Sequence, residues 1–236
     1  MLNAEKLEKE IVKLEPINVD IDIYCYNEYK VTPYSLFLLE NISNVKKNCT
    51  ILDFGSGTGI IAIACYYLKI KQIYAYDINS IGIELTKYNI AVNNAGDINI
   101  IDGKSLLNDM PTLDLILSNP PSLPCEHKTS DFFYGGYFGT NVIFEMIDIG
   151  SCKIKKGGTL EFVLTSLVSQ NDVKNYLAQR GFNFLICDQM NLTFRNFYFD
   201  MLPHFEKLKS QGKCNFFRDD KNQYYETLFY VKAEKL

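Results

Sequence analysis

The sequence predicts an α/β protein built on a doubly wound, mostly parallel sheet. Three observations predict it. From Ile51 onward, short apolar runs alternate with helical patterns, as crossover connections between parallel strands require. A glycine turn, Gly55-Ser56-Gly57-Thr58-Gly59, stands between the first such run and the first helix. Acids, Asp77 and Asp102, close the next two runs, so carboxylates recur along one edge of the sheet.

The elements follow in order. Residues 1–45 read as an N-terminal helical lid segment, with an amphipathic helix near Lys6 to Leu14 and a second near Tyr34 to Ile42. Residues 46–236 read as the domain that carries the sheet. Strand one is Thr50 to Phe54, and the helix after the glycine turn places Ile60, Ile61, Ile63 and Ala64 on its apolar side. Strand two is Gln72 to Asp77, and Asn79 or Ser80 can cap a helix on which Ile83, Leu85 and Ile90 recur at near-helical spacing. Strand three is short and ends at Asp102. Strand four is Leu113 to Ser118, after which Pro120 and Pro121 forbid continuation of strand or helix. A polar and aromatic loop through Asp131 to Gly136 leads to a helix from about Asn141 to Cys152 and a Gly157-Gly158 turn. Strand five is Thr159 to Leu164, and a helix around Val173 to Arg180 ends at Gly181, which suits a left-handed helix terminus. Strand-like runs at Asn183 to Asp188 and Tyr224 to Val231 complete the sheet, with a helical insertion near Leu202 to Leu208.

Composition narrows the function classes. The 236 residues hold 24 basic and 28 acidic side chains, a formal charge of -4, so no broad basic surface is available to displace counterions from a nucleic-acid backbone. The lysines at 46, 47, 69, 71, 153, 155 and 156 are scattered and read as solvated faces. Seven cysteines, an odd number without a Cys-x-x-Cys pair, suit a reducing compartment. With His127 and His204 they give no zinc-ligand spacing, so no metal is expected. The N-terminus lacks the basic start and apolar core of a signal peptide, and no stretch approaches a membrane span. A cytoplasmic protein without a membrane partner is expected.

The glycine turn lets the backbone approach a ligand at a helix N-terminus. It lacks both the Gly-x-Gly-x-x-Gly dinucleotide spacing and the Gly-Lys-Ser/Thr ending of a phosphate loop. An acid at the end of the next strand, Asp77, can reach a ribose hydroxyl pair in nucleoside-binding folds of this kind, and it can equally cap the following helix. Asp102 can accept from an adenine amino group or serve as a turn residue before Gly103.

Leu52-Asp53-Phe54-Gly55-Ser56-Gly57-Thr58-Gly59, Asp77, Asp102 and Ser118-Asn119-Pro120-Pro121 together resemble the successive motifs of class I S-adenosylmethionine-dependent methyltransferases that alkylate a planar or amide nitrogen. Within that group the chain is similar to the release-factor glutamine methyltransferases, whose signature reads Ser-Asn-Pro-Pro-Tyr-Ile-Pro where this chain has Ser118-Asn119-Pro120-Pro121-Ser122-Leu123-Pro124. Tyr134-Gly135-Gly136-Tyr137-Phe138-Gly139 resembles that family's Gly-Gly-x-x-Gly segment. Tyr29 to Ile42 resembles its Tyr-x-Pro-x-x-Asp-Thr-Phe-Leu-Leu-Leu segment. Ser122 stands where the family has an aromatic residue that stacks on the acceptor amide, and Val31, Pro33 and Tyr34 replace the family's proline and acids.

The resemblance implies a Rossmann-like class I methyltransferase fold, a mostly parallel sheet of seven strands with the last antiparallel. It also implies S-adenosyl-L-methionine as cofactor, bound by Asp53, Gly55, Ser56, Gly57, Thr58, Gly59, Asp77, Ile78, Asp102, Gly103 and Asn119. It implies catalysis at Asn119, Pro120 and Pro121, where the Asn119 side-chain oxygen and the Pro120 carbonyl accept the two hydrogens of an NH2 group. Substrate contacts fall to Ser122, Tyr29, Tyr34 and Tyr134. Tyr24, Tyr26, Tyr29, Tyr34, Phe132, Phe133 and Tyr134 can supply a stacking surface or form core. His127 reads as a surface residue, and Cys125 has no histidine placed beside it as a base. A protein glutamine is the first acceptor expected, and a small-molecule amine or amino acid the second. A nucleic-acid base follows, disfavoured by charge, and a non-catalytic cofactor-binding scaffold is the alternative from outside the enzymes.

Overall fold

A computed structural model describes residues 2–42, 45–128, 130 and 132–236. Asp131, assigned by sequence to the loop before Gly135, lies outside the described residues. The chain divides into two compact units, Met1–Asn119 with Lys153–Glu161, and Pro120–Cys152 with Phe162–Leu236.

The first unit opens with an antiparallel hairpin, β1 (Glu8–Leu14) and β2 (Val19–Cys25), followed by helix α1 (Pro33–Asn41). The hairpin corrects the helix expected near Lys6 to Leu14. Lysine and glutamate are good helix formers, but burial there has the strand period: Val12 and Leu14 are buried while Ile11 is 65% exposed. The strict alternation of Ile21, Ile23 and Cys25, all fully buried, gives β1 a strand to pair with. The expected second helix is present as α1.

The sheet of this unit contains β3 (Thr50–Phe54), β4 (Gln72–Tyr76), β5 (Ile98–Ile101), β6 (Leu113–Ser118) and the first part of β7 (Ile154–Thr165), in the order β5-β4-β3-β6-β7. The pairings β3–β4, β3–β6 and β4–β5 are parallel. Helices α2 (Ile60–Tyr67) and α3 (Ser80–Val92) supply the crossovers. Helix α2 is buried at six consecutive positions, Ile60 to Cys65, because it packs against β2, β3, β4 and β5.

The second unit contains the end of β7, helices α4 (Asn141–Lys153), which reaches one residue into the other unit, α5 (Gln170–Gln179) and α6 (Leu202–Ser210), and strands β8 (Leu185–Thr193), β9 (Phe217–Arg218) and β10 (Tyr224–Glu234). The strand order is β7-β10-β8, with the two-residue β9 also on β10, and β10 is antiparallel to β8 and β9. The mostly parallel sheet with an antiparallel last strand is therefore present, with β9 as an addition to the seven expected strands. Phe194, Tyr198, Phe205 and Phe216 form the aromatic centre of this unit's core.

Two strand boundaries differ from expectation for identifiable reasons. Strand β7 begins at Ile154, directly after α4, so Gly157 and Gly158 lie inside the strand and do not form a turn before it. A Cβ on Gly158 would stand 2.7 Å from the Asp114 carbonyl oxygen, so the missing side chain permits a close backbone approach. Strand β8 runs on to Thr193 because residues 189–193 pair with β10, and its mostly exposed, polar character concealed that.

Candidate functional site

The glycine loop is a hydrogen-bonded turn at the carboxyl end of β3. Gly55 and Ser56 both donate their backbone N–H to the Tyr76 carbonyl at 2.8 Å, and Gly59 donates to the Ser56 carbonyl at 2.7 Å. Gly59 adopts φ +80°, a left-handed conformation that favours glycine. A Cβ there would also press on Thr86, 3.1 Å from its Cγ2. Thr86 of α3 donates its hydroxyl to the Gly57 carbonyl and lies 3.0 Å from the Ser56 hydroxyl.

Asp77 follows β4 and clamps this loop. One carboxylate oxygen accepts the Gly57 N–H at 2.8 Å, the other the Asn79 N–H at 2.9 Å. Burial pushes its carboxyl above the usual range, while the N–H groups of Asn79, Gly57 and Ile78 pull it back. The helix cap is Asn79, whose side-chain oxygen accepts from Ile81 at 2.9 Å. Of the two roles sequence left open for Asp77, capping thus belongs to its neighbour. Gly82 was not singled out by sequence, yet a Cβ there would fall 2.7 Å from the Asp77 carboxyl carbon. Its bareness gives the carboxylate its place.

Asp53, on β3, is fully buried. Its Oδ2 accepts the Ala62 N–H at 3.1 Å, and its Oδ1 has no partner among the described residues. Desolvation, opposed by the Ala62 N–H and reinforced by the charge of Asp77, pushes this carboxyl up to about 8. Ile78 is 77% exposed beside Asp77, an apolar side chain held out at the loop edge. Asp102 is exposed and forms an ion pair with Lys87 at 3.1 Å, and Gly103 follows it with φ +122°.

The inner face of α3 and its C-cap carry two further polar residues that sequence reasoning missed, Asn89 and Asn93. Asn89 and Asn93 each treat a residue of β2 as a peptide partner. Asn89 accepts the Tyr24 N–H at 2.8 Å and donates to the Tyr24 carbonyl at 2.9 Å. Asn93 accepts from Asp22 at 3.3 Å and donates back at 2.7 Å. The amides thus satisfy the strand edge that β1 leaves unpaired. Asn89 also donates to the Thr58 carbonyl at 2.8 Å, which ties the hairpin to the glycine loop. Tyr29 approaches the same loop: its ring carbon lies 3.6 Å from where a Gly57 Cβ would stand.

At the end of β6, Ser118 is buried and donates its hydroxyl to the Phe54 carbonyl at 2.6 Å, so this strand end is pinned to the strand that launches the glycine loop. Asn119 comes next. Its side-chain nitrogen lies 3.0 Å from the Ser35 hydroxyl and 3.3 Å from that of Thr32, both at the start of α1. No partner of its side-chain oxygen is found among the described residues. Tyr34, between Thr32 and Ser35, is half-buried.

The rest of the motif belongs to the second unit. Pro120 is buried, Pro121 half-buried and Ser122 7% exposed. Leu123 donates to the Phe133 carbonyl and Gly135 to that of Leu123, both at 2.9 Å, and Cys125 donates to the Gly136 carbonyl at 3.0 Å. Gly139 carries φ +76°, and a Cβ on it would collide with the Ser122 carbonyl oxygen and with Val168. The Gly-Gly-x-x-Gly segment is therefore the close-packed wall of the 122–125 turn, with Tyr134 half-buried and bridged to Leu123. The aromatic residues grouped by sequence take separate partners: Tyr24 meets Tyr88 edge-on at 5.2 Å, and Phe133 packs on Phe197 at 5.0 Å. His127 is exposed, and burial pushes the Cys125 thiol up to about 11. Among the described residues no cluster of three or more His, Cys, Asp or Glu side chains could hold a metal, and no helix is long and apolar enough to cross a membrane.

Residues 28–120 match the family model of ribosomal protein L11 methyltransferase. A Methanocaldococcus jannaschii protein with the provisional name protein N5-glutamine methyltransferase is 32% identical over 172 residues, spanning 70% of this chain and 86% of that protein. A ribosomal protein L11 methyltransferase of Streptococcus equi subsp. zooepidemicus is 32% identical over 106 residues, 44% of this chain and 33% of that one. Among solved structures, the precorrin-6y C5,15-methyltransferase of Geobacter metallireducens superposes with a TM-score of 0.57 at 12% identity, covering 87% of this chain and 92% of the other.

Proposed function

Because the chain belongs to the class I S-adenosylmethionine-dependent methyltransferases, we propose that it methylates a hydrogen-bearing nitrogen, first of all a protein glutamine side-chain amide. The observation that carries this reading is the half-used amide of Asn119, with its nitrogen engaged by Thr32 and Ser35 and its oxygen without a partner among the described residues. An acceptor-only group next to a proline turn suits an incoming NH2.

The chain's residues fit the cofactor. Asp53, Gly55 to Gly59, Asp77, Ile78, Asp102 and Gly103 are read as its binding residues. The buried Asp53 carboxyl, whose Oδ1 has no partner among the described residues, offers a group that a bound cation would hold in its ionised form, Asp77 offers carboxylate oxygens at the loop, and Ile78 an exposed apolar cover. The cofactor supplies an electrophilic methyl on a sulfonium whose leaving group is a neutral thioether. The protein's task is therefore alignment, with neither nucleophile nor metal required. Asn119 Oδ1 and the Pro120 carbonyl accept the two hydrogens of the acceptor nitrogen, which aims its lone pair at the methyl carbon. As the N–C bond formed and the sulfonium C–S bond broke, positive charge would grow on nitrogen, and the same two oxygens would stabilise it until one of its hydrogens left as a proton to water. The prolines keep those oxygens preorganised. Tyr29, Tyr34 and Tyr134 are read as acceptor contacts, and residues 1–45 as a cover tied to the glycine loop through Asn89. The free cysteines suit a reducing compartment, and we place the protein in the cytoplasm.

A second reading, methylation of a small-molecule amine or amino acid, is favoured by Ser122, a small buried side chain where the resembling family stacks an aromatic ring. The discriminating experiment is incubation with methyl-labelled cofactor and cell extract, followed by separation into protein, nucleic-acid and small-molecule fractions. Label in protein, released as methylamine by acid hydrolysis, is the expected result. Label in small amines supports the second reading, and label in nucleic acid contradicts both.

A further inference from the structure

We propose that Thr32 and Ser35 are positioning residues that set the orientation of the Asn119 amide, so that the site presents only a hydrogen-bond acceptor to the methyl-accepting nitrogen. The inference rests on the acceptor role given to Asn119 above.

Thr32 is the N-cap of α1, and its Oγ1 accepts the Ser35 N–H at 3.2 Å. Pro33, at the first helical position, brings no N–H to compete for that oxygen. Ser35 stands at the third helical position, where a capping box would place Glu or Gln to reach back to the cap's backbone. A serine is too short for that, and its hydroxyl lies instead 3.2 Å from the Thr32 hydroxyl and 3.0 Å from Asn119 Nδ2. Both hydroxyls are buried, with their residues 8% and 7% exposed, so their hydrogen bonds must be made within the protein.

Counting donors and acceptors orients the amide. If Thr32 donates to Ser35, Thr32 Oγ1 accepts from the Ser35 N–H and from Asn119, and Ser35 Oγ accepts from Thr32 and from Asn119. Each oxygen then uses two lone pairs, the two hydrogens of Asn119 Nδ2 meet two acceptors, and only the Ser35 hydroxyl hydrogen is left over. Turning the amide over would place its oxygen against two oxygens that share one remaining hydroxyl hydrogen between them and leave the NH2 facing the acceptor. The NH2 would then oppose the hydrogens of the incoming nitrogen and repel the charge that develops there. The consequence is selectivity by chemistry: a primary amide or amine finds a partner, whereas a nitrogen without hydrogens does not.

The cleanest variant is Ser35→Ala, which removes one acceptor while the backbone N–H that Thr32 caps remains. Its turnover, measured as label transferred from S-adenosylmethionine into the fraction that the wild type labels, is expected to fall about tenfold, in line with loss of alignment. Cofactor affinity by calorimetry should stay within about twofold, the scale of a site that no longer aligns but still binds. The side-chain amide resonances of Asn119, assigned by their absence in Asn119→Ala, should shift and lose protection from solvent exchange. Thr32→Ser, which keeps the hydroxyl and the cap, should behave as wild type. Unchanged turnover and unchanged Asn119 amide resonances in Ser35→Ala would overturn the proposal while leaving the Asn119 reading intact. Unchanged turnover in Asn119→Ala would overturn both.

Discussion

Asn89 and Asn119 are both drawn into contact with the N-terminal segment, and their amides are used in opposite ways. Asn89 is saturated: its oxygen accepts from Tyr24, and its nitrogen donates to the carbonyls of Tyr24 and Thr58. Among the described residues Asn119 is bonded through its side-chain nitrogen and not its oxygen. A fully paired buried amide has nothing left to offer a ligand and works as a structural joint, whereas a half-paired one at a strand end is held ready. Asn89 and Asn119 therefore should fail differently when truncated, one in folding and loop order, the other in turnover.

The largest effect is expected at the half-paired residue. Asn119→Ala should reduce methyl transfer by about 100-fold or more, the scale seen when a preorganised polar group is removed from a reacting centre. The thermal midpoint should barely move. Transfer of label and a melting curve on the same preparation check both halves.

Asn89→Ala should invert that pattern. It strands the Tyr24 N–H and carbonyl and the Thr58 carbonyl, each at about 1–3 kcal/mol when left unsatisfied. A fall in the melting temperature of roughly 10 °C follows for a chain of this size, together with weaker cofactor binding because the glycine loop loses its tie. Hydrogen exchange over residues 8–25 should accelerate. A stable Asn89→Ala protein with slow exchange in the hairpin would erase the distinction between the two asparagines.

Asp53 sharpens the comparison on the cofactor side. Its carboxyl, pushed up to about 8 by burial, is favoured in its protonated form by the fold. Its contribution to stability is full below the unfolded value near 4 and is lost as pH rises through about 8. Binding a cation works in the opposite direction, since it favours the carboxylate. Affinity for S-adenosylmethionine should rise between about pH 6 and 8 with release of a proton, then level off, a slope expected of a group that ionises on binding. Calorimetry in two buffers of different ionisation enthalpy measures that proton, and Asp53→Asn should abolish it.

The smallest effect is expected at Lys87. Its pair with Asp102 is exposed on both sides, and such pairs are worth little. Lys87→Ala should shift the melting temperature by no more than about 2 °C.

What the sequence made legible follows the same division. The glycine loop, Asp77 and the Asn-Pro-Pro turn could be read because glycine dihedrals, proline rings and strand ends are local constraints that leave a local signature. The α1 helix and the Asn79 cap were legible from local pattern too, whereas the antiparallel last strand followed from the resemblance to class I methyltransferases. The hairpin was not legible. Its Lys- and Glu-rich first strand looks helical in isolation, and the residues that complete the second strand's edge, Asn89 and Asn93, lie 65 and 71 positions away. Thr32 and Ser35 escaped notice because their partner is 87 and 84 residues distant. Gly82 escaped because nothing in the sequence says that a carboxylate lies where its Cβ would be.

The central claim is that the glycine loop with Asp77 holds the cofactor while Asn119 serves the acceptor, and one titration addresses it directly. S-adenosylmethionine is titrated calorimetrically into the wild type, Asp77→Ala and Asn119→Ala. Asp77→Ala should bind at least about tenfold more weakly, the loss expected when a charged partner and the clamp on Gly57 go together, and Asn119→Ala should bind as the wild type does. Equal binding by Asp77→Ala and wild type, or loss of binding in Asn119→Ala, would contradict it.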